Sequence, residues 1–393
     1  MINPGDLGAG VGAPAPRTGG AAALRARLDH GVALLGEGRA EEAVVCLAAV
    51  LAFAPDHVAT RVALGAALRA MGEPLRAIRV LRLALEREPQ SAEAAWNLGL
   101  ALLQAGHWRE GWTCYEARQR LAGVRGVEGP AWQGERAGLL LVHAEQGLGD
   151  TFQFLPMLRR AAARVERLVF AAPPALVPLL AGVDVGVEIV VLGGPLPAFT
   201  HQAPLLSLIH RMGLDADCAP RGPYLRPPPL RAELAGALLG RRPRIGLAWQ
   251  GRRAYRADRE RSIPLAAFEP LLCRGDVEVF SLQHGDGTEQ IAALPPMARQ
   301  GLHTLPLDAG GAFLDTAALL PHLDLVIASD SAVAHLAGAL GRPTLLALPF
   351  VPDWRWPLQG EACAWYPNHR LVRQTRPGDW AGVVRRILGM LPL

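Results

Sequence analysis

A spacing of 34 residues recurs through the amino-terminal part of the chain and limits what that part can fold into. It links Gly31, Gly65 and Gly99; Gly38, Gly72 and Gly106; Ala43, Ala77 and Gly111; Leu47, Leu81 and Tyr115; and Pro55 and Pro89. Small residues where two helices cross, a glycine in the turn and a proline after the second helix are typical of helical hairpins that stack on copies of themselves. We therefore predict α-helical repeats over residues 23–122.

This pattern resembles the tetratricopeptide repeat (TPR), over about three units from Leu24 to near Leu121. The third unit departs from it, with Gly111 at a position held by alanine in the first two and with no closing proline. The resemblance implies a groove that binds a polypeptide, and a rigid spacer or self-association surface is the alternative. Residues 1–22, rich in Gly, Ala and Pro, are predicted to form a flexible tail because they bury too little surface to offset the entropy of ordering.

The composition indicates a soluble globular protein, with 50% hydrophobic and 19% charged residues and no apolar run that approaches a membrane span. The amino terminus lacks the regions of a signal peptide, and the five cysteines fit no metal or disulfide spacing, so we expect a cytoplasmic protein. All 40 basic residues are arginine, which excludes a P-loop lysine or a Schiff-base lysine. A net charge of +4, with 36 interspersed acidic residues, predicts no nucleic-acid partner.

From residue 135 the pattern changes to alternating strands and helices. The first half reads as strands Leu139–His143, Arg167–Ala172 and Val187–Leu192 with helices Thr151–Ala163 and Ala175–Ala181. After the breaker Pro227–Pro229 come strands Ile245–Trp249, Val277–Leu282, Leu325–Ala328 and Thr344–Leu348, with helices at Leu265–Leu272, Thr316–Leu323, after Ser331 and from Asp379. We predict two doubly wound, Rossmann-like domains, residues 135–226 and 230–393, with a ligand cleft at the carboxyl ends of both sheets.

The corner after strand Leu325–Ala328 is a candidate phosphate site. Asp330 and Ser331 end the strand, and the small-residue segment that follows predicts a helix whose free N–H groups and dipole favour an anion. Simple helix capping by Asp330 or Ser331 is the alternative. His335, one turn into this helix, faces either the cleft or the core.

The matching corner of the first half, AEQGLGDTFQF, presents Asp150 after Gly147 and Gly149, which permit a tight turn. A dinucleotide fingerprint fits poorly, because Phe152 occupies its third glycine position. Asp150 at the mouth of the cleft could take a proton from an acceptor hydroxyl, and capping of the following helix is the alternative.

An arginine-rich loop follows strand Ile245–Trp249, and it contains Arg252, Arg253, Arg256, Arg259 and Arg261 around Asp258. Guanidinium groups suit diphosphate oxygens, although a solvated basic loop is the ordinary interpretation. The aromatic residues Trp354, Trp356, Trp365 and Tyr366 either cover a base or sugar or pack the crossover between the halves.

Several segments together resemble the TPR-containing glycosyltransferases related to family nine, the heptosyltransferase-like GT-B group: AEQGLGDTFQF, RSIPL, SLQ, the segment around AVAHLAGALGRP, LPFVPDWRWPL and WYP. The resemblance extends from about Leu24 to the carboxyl terminus. It implies an inverting, metal-independent transferase without a cofactor, with the acceptor on the first half and a nucleotide sugar on the second. Some members of this group glycosylate proteins, flagellin among them, which implies a protein acceptor held by the repeats.

Residue by residue, the resemblance makes Asp150 the base, places Asp330, Ser331 and His335 at the donor corner, and pairs Gln283 with His284 as a nucleotide contact. Arg259 and Arg261 would neutralise the leaving phosphates in place of a metal. The chain departs from the pattern GNPxHxxDRxRS, with Arg252 and Tyr255 in place of Asn and His, and it has His284 where relatives often have Lys. A binding scaffold that has lost its chemistry and a nucleotide-sugar epimerase are the alternatives.

Overall fold

A computed structural model describes residues 18–121, 126–181, 186–215, 218–238, 240–255, 257–307 and 313–391. Most of the predicted tail, residues 1–17, lies outside this range. The helix begins at Thr18, so the prediction of a tail up to residue 22 is corrected over its last residues. The reason is the run Ala21–Leu24, since alanine and leucine have the strongest helix propensities.

The chain divides into two compact units, Met1–Pro89 and Gln90–Leu393. In the described part of the first unit the helices are α1 (Thr18–Gly36), α2 (Ala40–Phe53), α3 (Val58–Ala70) and α4 (Pro74–Arg87). The second unit opens with α5 (Ala92–Gln104), α6 (Trp108–Tyr115) and a 3-10 turn, Glu116–Arg120. The predicted repeat domain, residues 23–122, therefore crosses the division, because its third hairpin packs with the α/β part.

The glycines spaced by 34 residues lie where the two helices of each hairpin touch. A Cβ atom added at Gly31 would lie 2.7 Å from Leu47, and one at Gly65 would lie 2.5 Å from Leu81. In the second unit, a Cβ atom at Gly99 would lie 2.6 Å from the backbone nitrogen of Tyr115. The turn glycines Gly38, Gly72 and Gly106 all have positive φ, at 79°, 75° and 82°. The helical hairpins are thus confirmed, each built on the spacing seen in the sequence.

The first α/β half of the second unit holds a parallel sheet in the strand order β3-β2-β1-β4. Its elements are β1 (Ala137–His143), α7 (Leu148–Ala162), β2 (Val165–Ala172), α8 (Val177–Ala181), β3 (Glu188–Val191), β4 (His201–Pro204) and α9 (Leu208–Arg211). Strand β4 was not predicted, since its sequence HQAP has neither an apolar run nor alternation. It pairs with the buried part of β1, where Val142 faces Ala203 in register.

The second half holds a six-stranded parallel sheet in the order β10-β9-β8-β5-β6-β7. Its strands are β5 (Arg244–Ala248), β6 (Glu278–Ser281), β7 (Leu302–His303), β8 (Leu325–Ser329), β9 (Thr344–Leu348) and β10 (His369–Arg373). Its helices are α10 (Ala232–Gly236), α11 (Asp258–Arg261), α12 (Glu269–Leu272), α13 (Pro296–Gln300), α14 (Leu314–Leu319), α15 (Ala332–Ala339) and α16 (Trp380–Met390). This is a doubly wound order: strands are added on one side of β5 up to β7, and then on its other side from β8 to β10. Ligands bind at the carboxyl ends of the two strands that flank such a switch point, here β5 and β8.

Two strands of this sheet, β7 and β10, were not predicted. Strand β7 has only two residues, and β10 carries Arg370 and Arg373 among its apolar residues. The helix predicted over Leu265–Leu272 begins as a 3-10 turn, Leu265–Phe268, because Pro270 suits the first turn of a helix and not its interior.

An apolar core joins the third hairpin, the first sheet and one face of the second sheet, with Trp112, Phe154 and Trp365 buried in it. A separate core covers the other face of the second sheet, between β5, β8 and α16. Within the described residues, no helix combines the length and the apolar character needed to cross a membrane.

Candidate active site

The turn between β1 and α7 presents Asp150 inside the first turn of the helix. Helix α7 begins at Leu148 with Gly147 as its N-cap, so Asp150 is the third helical residue and not the cap. Its Oδ2 atom accepts a hydrogen bond of 2.8 Å from the Gly147 N–H. The alternative that Asp150 is the N-cap residue is therefore wrong, although one of its oxygens does cap the Gly147 N–H, as the third helical residue does in a capping box. The other oxygen is directed elsewhere.

The third hairpin, α5 and α6 with the 3-10 turn after them, is hydrogen-bonded to the turn between β1 and α7. Gln146 has φ of 61°, an uncommon conformation for a residue other than glycine, and its amide Nε2 donates to the Tyr115 hydroxyl at 2.8 Å. Burial raises the pKa of Tyr115 to about 12, so the phenol stays protonated at neutral pH. Beside it, the buried Arg118 donates from Nε to Glu145 at 2.9 Å and from Nη2 to the Ser207 hydroxyl at 2.8 Å. The residues that hold the Asp150 turn thus come from the repeat segment.

The predicted donor corner, at the carboxyl end of β8, contains polar groups that the described residues leave without a hydrogen-bond partner. Ser331 is the N-cap of α15 with an extended backbone, yet its side chain makes no cap hydrogen bond. Its hydroxyl and that of Ser329 are both buried without a hydrogen-bond partner among the described residues. A buried hydroxyl without a partner costs free energy unless a ligand or water supplies one. These two hydroxyls, at a helix start, therefore suit an oxygen-rich anion.

His335 lies where the two halves touch. A Cβ atom added at Gly149 of α7 would lie only 2.8 Å from His335 Cδ2, so the two helix starts are in close contact. His335 Nδ1 is 2.9 Å from the Tyr366 hydroxyl, and its ring stacks on Trp356 with 5.4 Å between centroids. Burial, and then the positive charge of Arg355, lowers the pKa of His335 well below its ordinary value. His335 is therefore a neutral, tightly packed imidazole at the interface.

Asp330 is buried beside Ser331, and burial raises the pKa of its carboxyl group. The positive charges of Arg261 and Arg355 act in the opposite direction. Arg261 in turn donates to Asp258 at 3.2 Å and lies over the Tyr255 ring at 4.6 Å. The positive charge of Arg261, which follows β5, therefore acts on the carboxyl group of Asp330, which follows β8.

Gln283 holds two loops together through its side-chain amide. The Oε1 atom accepts from the N–H groups of Trp249 and Gln250 at 3.0 Å each, and Nε2 donates to the carbonyls of Gln250 and Asp286. These four bonds fix the loops after β5 and β6. The direct nucleotide contact stays a prediction, as does that of the half-buried His284 in the same loop.

A cavity of about 420 Å³ lies among these loops. Its lining residues are Gln250, Arg253, Tyr255, Asp258, Arg259, Ser262, Ile263, Pro264 and Gln290. Arg259 therefore faces this cavity, and Arg253 pairs with Glu289 at its edge. Arg252 is exposed, and Arg256 lies outside the described residues.

Arg355 is the site residue that the sequence reasoning missed, although it lies within the quoted segment LPFVPDWRWPL. Its Nη2 atom donates to Asp150 Oδ1, Nε donates to Gln153 Oε1 at 2.8 Å, and Nη1 donates to Asp353 at 2.6 Å. Burial alone would lower the pKa of Arg355, but Asp150 and Asp353 raise it well above its ordinary value. Arg355 is thus a permanent cation that joins the second half to the predicted base of the first.

The aromatic residues near Arg355 pack the protein interior. Trp354, Trp356, Trp365 and Tyr366 are all buried, so the packing alternative describes them and not a cover over a base or sugar. Trp354 packs edge-on against Trp112 of α6, with 5.2 Å between centroids, and the Arg355 guanidinium lies 4.3 Å from its ring. For the described part of the chain, no group of three or more His, Cys, Asp or Glu side chains is arranged to hold a metal ion.

Comparisons with known proteins find similar sequences and similar solved structures. No family model matches the sequence. The chain is 29% identical over 316 residues to the protein FlbA of Caulobacter vibrioides, which covers 73% of this chain and 52% of FlbA, so it spans about half the length of that relative. It is 40% identical over 68 residues to the putative lipopolysaccharide heptosyltransferase 4 of Escherichia coli K12, 17% of each chain.

Among solved structures, similar chains include the E. coli ADP-heptose lipopolysaccharide heptosyltransferase II, with a TM-score of 0.46, 16% identity, and coverage of 64% of this chain and 96% of that one. Another is the family 9 glycosyl transferase from Veillonella parvula, with a TM-score of 0.45, 12% identity, and coverage of 67% and 92%. The chain's own two parallel sheets form two doubly wound halves that meet through the starts of α7 and α15.

Proposed function

We propose that this chain is an inverting glycosyltransferase that moves a sugar from a nucleotide-sugar donor to an acceptor hydroxyl. One observation carries the proposal: the start of α7, which presents Asp150, touches the start of α15, where Ser329 and Ser331 are buried without partners. The predicted base and these buried hydroxyls thus lie at two helix starts that touch, one from each doubly wound half. We assign the acceptor proton to the first and the donor phosphate to the second.

The chemistry assigned to these groups is a single displacement. The acceptor oxygen forms a bond to the anomeric carbon while the bond from that carbon to the donor phosphate oxygen breaks, and the bonding electron pair leaves with the nucleotide. The acceptor proton passes to the Asp150 carboxylate. The N–H groups at the α15 start, with Arg261 and Arg259, stabilise the charge on the leaving phosphate, so the proposal needs neither a metal nor a cofactor.

We assign the acceptor to a protein, with flagellin as the first candidate, held by the amino-terminal hairpins. The 34-residue hairpins support this assignment, because stacked helical hairpins of this kind offer a groove for a polypeptide. The same proposal identifies the hairpins as TPR units and places the reaction in the cytoplasm.

A catalytically inactive scaffold is the second candidate, and one observation favours it. Both oxygens of Asp150 are already engaged, one by the Gly147 N–H and the other by Arg355. A base that is permanently engaged in this way would take no proton. The fold would then serve only to present the helical hairpins.

The test begins with melting curves of the whole chain in the presence of UDP, GDP, CMP and ADP sugars, with and without EDTA. We expect one donor to raise the melting temperature and to keep doing so in EDTA, because a ligand that binds only the folded state stabilises it. The same donor should then support transfer to flagellin. If no donor binds and no sugar is transferred, the proposal is wrong and the scaffold is the better description.

The variant Ser331→Ala makes this test more specific, because the parent hydroxyl has no hydrogen-bond partner to lose among the residues that the structure describes. Stability should stay level or rise, since a buried unsatisfied hydroxyl is removed, while donor affinity should fall by about tenfold, the effect of losing a hydrogen bond to a charged group. Thr113→Val is the matched control, because that exposed hydroxyl donates to the Arg109 carbonyl and lies 3.4 Å from His210 Nδ1, and neither contact belongs to the proposed site. Unchanged donor affinity in Ser331→Ala would remove Ser331 from the site.

A further inference from the structure

Arg355 joins the two α/β halves through a hydrogen bond to Asp150 Oδ1, an oxygen of the proposed base. It belongs to the second half, and it reaches Asp150 and Gln153 on α7 of the first half. Only 11% of its side chain and 14% of that of Asp150 are exposed, so the pair is shielded from water. An ion pair in such surroundings is strong, and breaking it without a replacement is costly.

The same guanidinium also acts on the donor corner. Beside the effect of burial, its positive charge acts to lower the pKa of Asp330, which precedes Ser331, and the pKa of His335, one turn further into α15. The amide nitrogen of Gln153, whose oxygen accepts from Arg355 Nε, is buried and has no hydrogen-bond partner among the described residues. Arg355 thus lies beside the predicted base and next to a polar group that the described residues leave unsatisfied.

The backbone at Arg355 is fixed, and its guanidinium divides its hydrogen bonds among Asp150, Gln153 and Asp353. Trp354 is held by Trp108, Trp112 and Tyr115, which keeps the backbone at Arg355 in place. Asp353 stays bound within the same segment, since it also accepts from the Arg355 backbone N–H. The contact with Asp150 is the one that a competing anion can replace, because the planar guanidinium binds phosphate oxygens as well as carboxylates.

We propose that Arg355 is shared between Asp150 and the phosphates of the donor. Without donor it neutralises Asp150; when the donor's diphosphate enters at the α15 start, the guanidinium turns towards it and leaves the carboxylate free. The acceptor proton then goes to Asp150, the new carbon–oxygen bond forms, and the electron pair of the broken bond departs on a phosphate that Arg355 already binds. Donor binding thereby activates the base, which prevents an active carboxylate in the empty enzyme. The inference rests on the proposed function.

A double-mutant cycle tests this coupling, with nucleotide affinity measured by calorimetry for ADP, UDP and GDP. Asp150→Asn keeps an oxygen for the Gly147 N–H but no longer holds Arg355 by charge, so the nucleotide should bind about tenfold more tightly. Arg355→Gln should bind about tenfold more weakly. Adding Asp150→Asn to Arg355→Gln should change nothing further, because the two residues act on the nucleotide through one contact.

The exposed pair Arg370 and Glu361 supplies matched controls, Arg370→Gln and Glu361→Gln, which should leave nucleotide affinity unchanged. If Arg355→Gln does not fold, Arg355→Lys takes its place, and the gain from Asp150→Asn should then be smaller than in the parent. A second outcome is that the parent protein binds nucleotide and transfers sugar while Asp150→Asn gives no gain in nucleotide affinity. That result would show that Arg355 stays bound to Asp150 and serves only to hold the two halves together, and it would overturn this inference alone. Parent protein that binds no nucleotide overturns the proposed function and the inference together.

Discussion

Replacing Gly149 by alanine should damage the contact between the two halves. A Cβ atom at this position would lie 2.8 Å from His335 Cδ2, whereas ordinary van der Waals contact begins at 3.4 Å, so something must move by about 0.6 Å. His335 cannot give way easily, because Tyr366 binds its ring nitrogen and Trp356 stacks on its face. The missing side chain at Gly149 is therefore what allows the two helix starts to meet.

The expected size of the effect follows from two opposing terms. Crowding a packed site typically costs about 1–3 kcal/mol. Alanine in a helix gains up to about 1 kcal/mol over glycine, and less near the helix start. We therefore expect Gly149→Ala to lose about 1–2 kcal/mol of stability, or a few degrees in melting temperature. If the halves instead separate to make room, stability will hold and turnover will fall.

Gly389→Ala is the matched control, because this exposed glycine of α16 has no atom within 4 Å of the added Cβ. This variant should gain only the stability that alanine has over glycine in a helix, up to about 1 kcal/mol. Melting temperature and turnover of both variants are measured in parallel. A Gly149→Ala protein that matches Gly389→Ala in both quantities would refute the close contact between α7 and α15.

Two further predictions concern the hydrogen bonds and the histidines around the site. The variant Tyr115→Phe removes the hydroxyl that binds Gln146, so turnover should fall more than donor affinity. The loss of this hydrogen bond should cost about 1 kcal/mol of stability. An equal fall in turnover and in donor affinity would count against a positioning role for Tyr115. His335 and His369 stay neutral in the folded protein, the latter with a pKa lowered by burial to about 4, whereas unfolded histidine takes a proton near 6.5. Stability should therefore be lost as the pH falls below about 6.5, by up to about 1.4 kcal/mol per pH unit for each group, and His369→Gln should flatten the slope measured by denaturant unfolding between pH 7.5 and 5.

Local and periodic features of the fold could be predicted from the sequence. The 34-residue spacing identified the helical hairpins because Gly31 and Gly65 each meet a residue of their own hairpin. The strand before Ser331 and the helix after it were also correct, since an unbroken apolar run followed by a polar corner is a local signal. Strand β4 was missed because its pairing partner, β1, supplies the burial that its own four residues do not show.

The chemistry of the site was harder to predict, because its decisive contacts are distant in the sequence. Arg355 and Asp150 are 205 positions apart, and nothing in the local pattern around either residue indicates the other. The sequence also could not show that the Ser331 hydroxyl has no hydrogen-bond partner among the described residues. Nor could it show that the side-chain amide of Gln283 bonds backbone groups through both its oxygen and its nitrogen. A preferred N-cap residue and a polar residue after a strand look alike until the hydrogen bonds are known.

The third hairpin gives a physical reason for the division of the chain at Pro89. Helix α6 and the turn after it hold the Asp150 side of the cleft through Tyr115 and Arg118, and α6 holds the Arg355 side through Trp112 and Trp354. One hairpin therefore fixes both partners of the ion pair that crosses the cleft. Because its packing surface is shared with the α/β core, this hairpin belongs to the site, whereas α1–α4 form a compact unit of their own.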